Sequence, residues 1–344
     1  MHILLIRFSS MGDVVIQTAF ANWLKLKLPK SKITFLTLNQ FEPLLINNLN
    51  IDEVIPYKKK KGLEDFNNLK KLSLLIQKDY KPDVIIDLHG TLRAKVLKLF
   101  INRIPFLSIS KRSFRRFMFI KFKLNTLASL ESNHERIIKD FSSLFHLDYS
   151  REDLEKFNNS NAITSIGKTK FSKDKTIIIS PVASFAPKRW PINKFKTLID
   201  QILKDSDFAD YKIKLIGGPD DKYCNELQFE EYNQFENFQG KLSLAQTVDL
   251  ISTSQICISN DTGMGHIAEA NNVPVISIFG PTSESFGFAP SLKKSISISE
   301  NIWCRPCSTD GKKACFRKEQ YCMTNIEVDK VVNSLKNVLR GNNV

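Results

Sequence analysis

Short runs of consecutive apolar residues alternate along the chain with longer stretches in which apolar positions recur at helical spacing. ILLIRF (3–8), ITFLTL (33–38), EVIPY (53–57) and DVIIDL (83–88) have the length of strands buried on both faces. Helix-like segments such as VVIQTAFANWLKLKL (14–28) lie between or after them. This order predicts a parallel sheet covered by helices on both sides. NNSNAITSIGKTKFSKDK (158–175) has no strong apolar period and reads as a linker. The pattern then restarts. TIIISP (176–181), YKIKLIGG (211–218), QICISND (255–261) and PVISIFG (274–280) read as strands, and INKFKTLIDQIL (192–203) and MGHIAEANN (264–272) as helices. IEVDKVVNSLKNVL (326–339) has helical spacing again. The reading is an α/β chain with two doubly wound domains, 1–165 and 166–325, and a C-terminal helix in 326–344. Two such domains predict a cleft between two sets of strand C-termini, where ligands of such sheets bind.

Composition agrees with two packed cores. The 344 residues are 42% hydrophobic and 25% charged, which excludes a disordered or fibrous chain. No stretch approaches the ~20 apolar residues of a spanning helix. The apolar core of the N-terminus, Ile3 to Ile6, is shorter than that of a signal peptide. The expected location is the cytoplasm, or peripherally the inner face of the cytoplasmic membrane. Charge adds an asymmetry: of the net +14, residues 1–165 carry +11 and residues 166–344 carry +3. A basic half attracts nucleic acid, anionic lipid or a phosphorylated substrate alike, and solvated surface lysines are the plain alternative.

Three motifs sit at strand ends. In FSSMGDVV (8–15), Gly12 permits a tight strand-to-helix turn, and Asp13 falls at the helix N-terminus. Asp13 is either a general base for an attacking hydroxyl or a first-turn carboxylate favoured by the helix dipole. In SPVASFAPKRWPINKF (180–195), Ser184 and the cations Lys188 and Arg189 follow the first strand of the second half, and Pro191 suits a helix start. The loop fits a phosphate or is an exposed cation pair. In SNDTGMGHIAEANNVPVISIFGPT (259–282), Asp261, Thr262, Gly263, Gly265 and His266 pack into six residues at a helix start. Free N–H groups there make an anion site, and Asp261 suits sugar hydroxyls. The stretch is neither a Walker A loop nor a G-x-G-x-x-G fingerprint.

Two further features stand apart. Cys304, Cys307, Cys315 and Cys322 are spaced C-x2-C-x7-C-x6-C. The second C-x-x-C of a regular zinc pattern is missing, so structural thiols or a conditional disulfide come before a metal site. SKRSFRRFMFIKFK (110–123) places six cations, among them Lys111, Arg112, Arg115 and Arg116, beside four phenylalanines and no acid. It suits an anionic glycolipid at a membrane surface or a nucleic acid, or is an amphipathic helix with its Phe face in the core.

The S-S-M-G-D start, the A-S-x-x-P-K-R-W loop and D-T-G-x-x-H-I-A followed by P-V-I-x-I-F-G-P-T together resemble glycosyltransferase family 9, the heptosyltransferases, over nearly the whole chain. The resemblance implies a GT-B fold, with two Rossmann-like domains facing across a cleft. The N-terminal domain would take the acceptor and the C-terminal domain a nucleotide-sugar donor, usually ADP-heptose. It implies an inverting, metal-independent transfer to the inner core of lipopolysaccharide, Kdo-lipid A or a heptosyl acceptor, without a cofactor. Asp13 matches the general base. Lys188 matches the lysine that neutralises the diphosphate. Asp261, Thr262, Gly263 and His266, with Ser184, match donor contacts. Ser10, Gly12, His89 and Arg93 fall on the acceptor side, with Lys111, Arg112, Arg115 and Arg116; His89 replaces the Gln usual in that turn. The implied partners are the donor, the anionic glycolipid and the membrane surface, and no nucleic acid. A nucleotide-sugar epimerase of the same fold and a non-catalytic nucleic-acid-binding module are the competing readings.

Overall fold

The computed structural model describes residues 1–109, 113–125, 133–142, 145, 147 and 173–341. Its first regular elements are β1 (His2–Ile6), α1 (Met11–Lys27), β2 (Lys32–Leu38), β3 (Glu53–Tyr57), α2 (Gly62–Leu75), β4 (Val84–Asp87), α3 (Leu92–Phe100), β5 (Phe106–Ser108), α4 (Ser113–Phe122) and α5 (Asn133–Ser142). Then follow β6 (Thr176–Ser180), α6 (Ile192–Lys204), β7 (Lys212–Leu215), β8 (Phe235–Asn237), α7 (Leu244–Thr253), β9 (Ile256–Asn260), α8 (Gly263–Ala270), β10 (Val275–Phe279), β11 (Ile296–Ser299), α9 (Tyr321–Thr324) and α10 (Val328–Leu339). The chain divides into two units. One takes the described residues of Met1–Arg112 and His134–Gly167, the other those of Ser113–Asn133 and Lys168–Val344.

Each unit is built on one all-parallel sheet. The first has the order β3-β2-β1-β4-β5, with Ile3 opposite both Ile33 and Val84. The second has the order β8-β7-β6-β9-β10-β11, with Ile178 opposite Lys214 and Cys257. Counted from the first strand of each unit, both follow the 3-2-1-4-5 arrangement of a Rossmann sheet, and the second adds a sixth strand. The order reverses between β1 and β4, and between β6 and β9. Ligands of such sheets bind at that switch point, beyond the strand C-termini.

The apolar runs form the central strands because both their faces are covered: Leu4, Leu5, Ile85, Ile86, Ile177 and Ile258 are all fully buried. The pattern misses β5, β8 and β11. Their sequences, FLS, FEN and ISIS, are short and partly polar, as edge strands are, and leave no apolar run to read. The C-terminal helix α10 is no appendage of the second unit. Its Val331 and Leu335 share one core with Phe195 and Leu198 of α6. Trp190 Nε1 fastens this layer by donating to Ile326 O at 3.1 Å.

The basic helix is placed differently from its position in the sequence. The first half of the chain contains it, yet α4 packs with the second unit. Phe119 meets Phe286 edge-on at 6.0 Å, and none of the α4 side chains is buried, so its phenylalanines do not form a core face. Lys111, Arg112 and most of the linker stretch 158–175 lie outside the described residues.

Candidate active site

In the first unit, the switch point gathers around one carboxylate. Ser10 caps α1, and Asp13 is the third residue of that helix, the spacing of a capping box. Ser10 donates to Asp13 Oδ2 from its backbone N at 3.2 Å and from Oγ at 2.6 Å. Arg7, the charged residue that ends the first apolar run, places Nη2 2.8 Å from Asp13 Oδ1. Burial by itself raises the Asp13 pKa. The Arg7 charge and the Ser10 hydrogen bonds outweigh it and hold the carboxyl below its ordinary value. The cap reading and the ionised carboxylate that a base reading needs thus meet in one side chain.

The end of β4 closes this group. Arg7 Nη1 donates to Leu88 O at 2.6 Å, and Phe8 N donates to His89 Nδ1 at 3.2 Å. Asp87, buried beneath the turn, accepts from His89 N and Gly90 N at 2.8 Å each, an Asx turn. Arg7 thus links Asp13 to the turn that carries His89, and Gly12 is buried inside the first turn of α1. Arg93 commits its Nε to Asp65 Oδ2 at 2.8 Å. That buried carboxylate also accepts from Tyr57 OH and Lys60 N.

In the second unit, three strand-end loops converge on Asp261. Lys188 Nζ lies 2.7 Å from Asp261 Oδ2, and the Asp261 side chain is 6% exposed. Thr282 Oγ1 donates to the same oxygen at 2.8 Å. The fold splits the neighbouring cations. Arg189 donates from Nε to Ala183 O at 2.9 Å and stacks 4.1 Å over the Tyr223 ring, so it serves the scaffold. Asn260 ties the first two loops, accepting from Trp190 N at 2.9 Å and donating to Pro181 O at 2.6 Å. Ser184 is exposed.

Beside Asp261 begins α8, capped by Thr262, whose buried Oγ1 has no hydrogen-bond partner among the described residues. Gly265 lets this helix lie close on β9, since a Cβ there would stand 2.9 Å from Ser259 Oγ. His266, one turn on, faces the Phe288 ring at 6.1 Å. Asp261, Thr262, His266, Glu269 and Phe288 line a recess of about 200 Å³. A cation, a helix N-terminus and a buried carboxylate around one recess suit an anionic ligand that also carries hydroxyls.

Glu269 closes the recess and holds the next loop, accepting from Ser291 N at 2.8 Å and Leu292 N at 2.9 Å. Burial pushes its carboxyl up to about 7 from the ordinary 4.5. A carboxyl whose folded value lies above its unfolded value favours the native state while protonated and loses that contribution as pH rises through about 7. Glu269→Gln should therefore gain on the parent in melting temperature between pH 5 and pH 8. A difference that stays constant with pH would show that this carboxyl titrates normally.

The sequence profile of glycosyltransferase family 9 (heptosyltransferase) matches residues 73–316. The chain belongs to this family. It is similar to lipooligosaccharide heptosyltransferase 2 of Haemophilus influenzae, at 24% identity over 83% of this chain and 85% of that protein. Among solved structures it is similar to a family 9 glycosyltransferase of Veillonella parvula, with a TM-score of 0.74 and 20% identity over 99% and 98% of the two chains. It is also similar to the ADP-heptose LPS heptosyltransferase II of Escherichia coli, with a TM-score of 0.68 and 20% identity over 99% of each chain. The fold is GT-B, with two Rossmann-like domains, and the protein is a glycosyltransferase enzyme. Membership decides for sugar transfer over the epimerase and nucleic-acid readings.

In this family 9 chain the cysteine segment has a task its spacing does not reveal. Cys304, Cys307, Cys315 and Cys322 are free thiols around one recess of about 350 Å³. Burial pushes Cys322 up to about 11 and raises Cys307, which keeps both protonated at neutral pH. Among the described residues no group of three or more His, Cys, Asp or Glu side chains is arranged to hold a metal ion. The segment supports the loops that hold Lys188 and Asp261. Arg305 Nε donates to Gly280 O at 2.6 Å, Cys307 N to Pro281 O at 3.0 Å, and Gln320 Nε2 to Pro187 O. Gly311, at φ +81°, lies on the Lys188 stem so closely that a Cβ would stand 2.3 Å from Lys188 Cγ.

Of the basic residues expected on the acceptor side, Arg116 is held by the second unit. Its Nη2 donates to Phe286 O at 3.2 Å, and its guanidinium sits 5.6 Å and 5.8 Å from the Phe286 and Phe288 ring centres. It anchors α4 on the second unit. Arg115 is exposed. Sequence reasoning missed Arg7, and the signal was present: a charge that ends a buried apolar run needs a partner. It also missed the joint roles of Asn260, Thr282 and Gly311, which only the meeting of separate loops creates.

Proposed function

We propose that this protein transfers a heptose from ADP-heptose to the inner core of lipopolysaccharide, with inversion and without a metal, at the cytoplasmic face of the inner membrane. The observation that carries the donor side is the Lys188–Asp261–Thr282 group beside the start of α8. A diphosphate that enters there competes with Asp261 for the Lys188 ammonium. It draws on the N–H groups at Thr262 and Gly263 and leaves Asp261 to accept from sugar hydroxyls. As the anomeric bond breaks, charge grows on the leaving diphosphate, and these groups stabilise it where it develops. Asp13, ionised and fixed by Arg7 and Ser10, takes the proton of the attacking acceptor hydroxyl. On this reading Ser10, which bonds that carboxylate, and His89, in the turn after β4, orient the acceptor.

The test is direct. The purified protein is incubated with ADP-heptose, and in parallel with GDP- and UDP-sugars, together with heptose-deficient lipopolysaccharide, and the product is followed by mass. The expected result is a single added heptose with the ADP donor alone. Transfer from a UDP- or GDP-sugar, with none from ADP-heptose, would overturn the donor assignment.

A further inference from the structure

The outward side of α4 is unusual for a protein surface. Its inner side is used: Arg116 and Phe119 meet Phe286, and Lys123 Nζ just beyond donates to Cys304 O at 2.9 Å and Pro306 O at 2.7 Å. Four other large apolar side chains of α4 and its end face solvent. Phe114, Phe117, Phe122 and Leu124 are between 52% (Leu124) and 73% (Phe114) exposed. The Lys123 bonds bring the end of this helix against the cysteine segment, which adds Trp303 and Phe316, also mostly exposed, with ring centres 6.0 Å apart. Exposed large apolar side chains gathered on a helix, and on the segment to which its end is bonded, mark an interaction surface.

Charge chooses the occupant. Away from that inner side Arg115 and Lys121 are exposed, and residues 113–125 carry no acid. Arg317 lies 5.7 Å from the Trp303 ring centre. Aromatic rings interleaved with Lys and Arg match the boundary of an anionic bilayer, where rings enter the headgroup layer and cations meet lipid phosphates. A second copy of the chain fits poorly, because a two-fold contact would press this basic face against itself. A soluble anionic ligand would use the cations and leave the rings without a role.

We propose that the outer face of α4, with Trp303 and Phe316, docks this protein on an anionic lipid bilayer. The face binds by insertion of the rings and by attraction of the cations, and neither contribution suffices alone. The proposal rests on the membrane site of the proposed transfer and assigns the surface that reaches it. Its test reads lipid binding and not sugar transfer, so the two can fail separately.

Full-length protein is sedimented with vesicles of phosphatidylglycerol and phosphatidylethanolamine, and with vesicles of phosphatidylcholine alone. The expected result is binding to the anionic vesicles only, weakening as salt is raised. Phe114→Ser with Phe117→Ser and Trp303→Ser should lower the partition coefficient ~10-fold or more, and Arg115→Glu with Lys121→Glu by at least as much. All these side chains are exposed or form no core, so melting temperature and ADP affinity should stay at the parent values. Three results would overturn the proposal. These are no binding to either vesicle, equal binding to both, and variants that bind anionic vesicles as well as the parent. A concentration-dependent dimer that the Phe variants abolish would overturn it too, in favour of a second copy.

Discussion

Asp13→Asn should lower turnover by roughly a hundredfold to ten-thousandfold, the range of general base catalysis, while ADP affinity stays at the parent value. The Asn side chain keeps the size of Asp and can still accept from Ser10, so the start of α1 should survive. What it loses is the negative charge that Arg7 faces at 2.8 Å and the ability to take a proton. A steady-state assay with saturating donor, paired with calorimetry against ADP, separates the two effects. Near-parental turnover would leave Asp13 as a helix cap. The parent's pH profile carries a second sign of the same chemistry. Because Arg7 and Ser10 depress the Asp13 pKa, the carboxylate persists below the usual range, and the acid limb of turnover due to this group should lie correspondingly low. The same depressed value means that its contribution to stability is present above the unfolded pKa and fades as pH falls through the folded one.

Lys188→Met should weaken ADP binding by about 10- to 100-fold, the worth of a hydrogen bond to a charged group. It also leaves the buried Asp261 without its cation, so melting temperature should fall as well. Gly311→Ala should do similar damage at a distance. The new Cβ would stand 2.3 Å from Lys188 Cγ and 2.5 Å from Cδ, at a φ of +81° that Ala resists, and the lysine stem must give way. If Gly311 acts through Lys188, the two losses are not additive, and the double variant binds ADP no worse than Lys188→Met alone. Fully additive losses would make Gly311 a general packing residue. ADP affinity unchanged in Lys188→Met would move the diphosphate elsewhere and undo the donor assignment itself.

What the sequence determined by itself was whatever depends on neighbours in the chain. The buried central strands are legible because a strand covered on both faces must be apolar throughout, as ILLI and TIIIS are. The Asp13 and α8 motifs are legible because caps, glycines and helix starts act within a few residues. The edge strands β5, β8 and β11 left no such mark, since partial exposure permits polar residues. Only the tertiary structure decided which charges meet. Lys188 and Arg189 are adjacent and look alike, yet one lies on Asp261 and the other on Tyr223, because the loop turns between them. Helix α4 lies in the first half of the chain but packs on the second unit, and Phe114, Phe117 and Phe122 face out, since the partners of its inner side come from Phe286 and the cysteine segment. Gly311 and Lys188 are more than a hundred residues apart, and nothing local to either tells of their contact. Pairings of that kind are set by how whole sheets and loops pack, and one-dimensional periodicity holds no record of them.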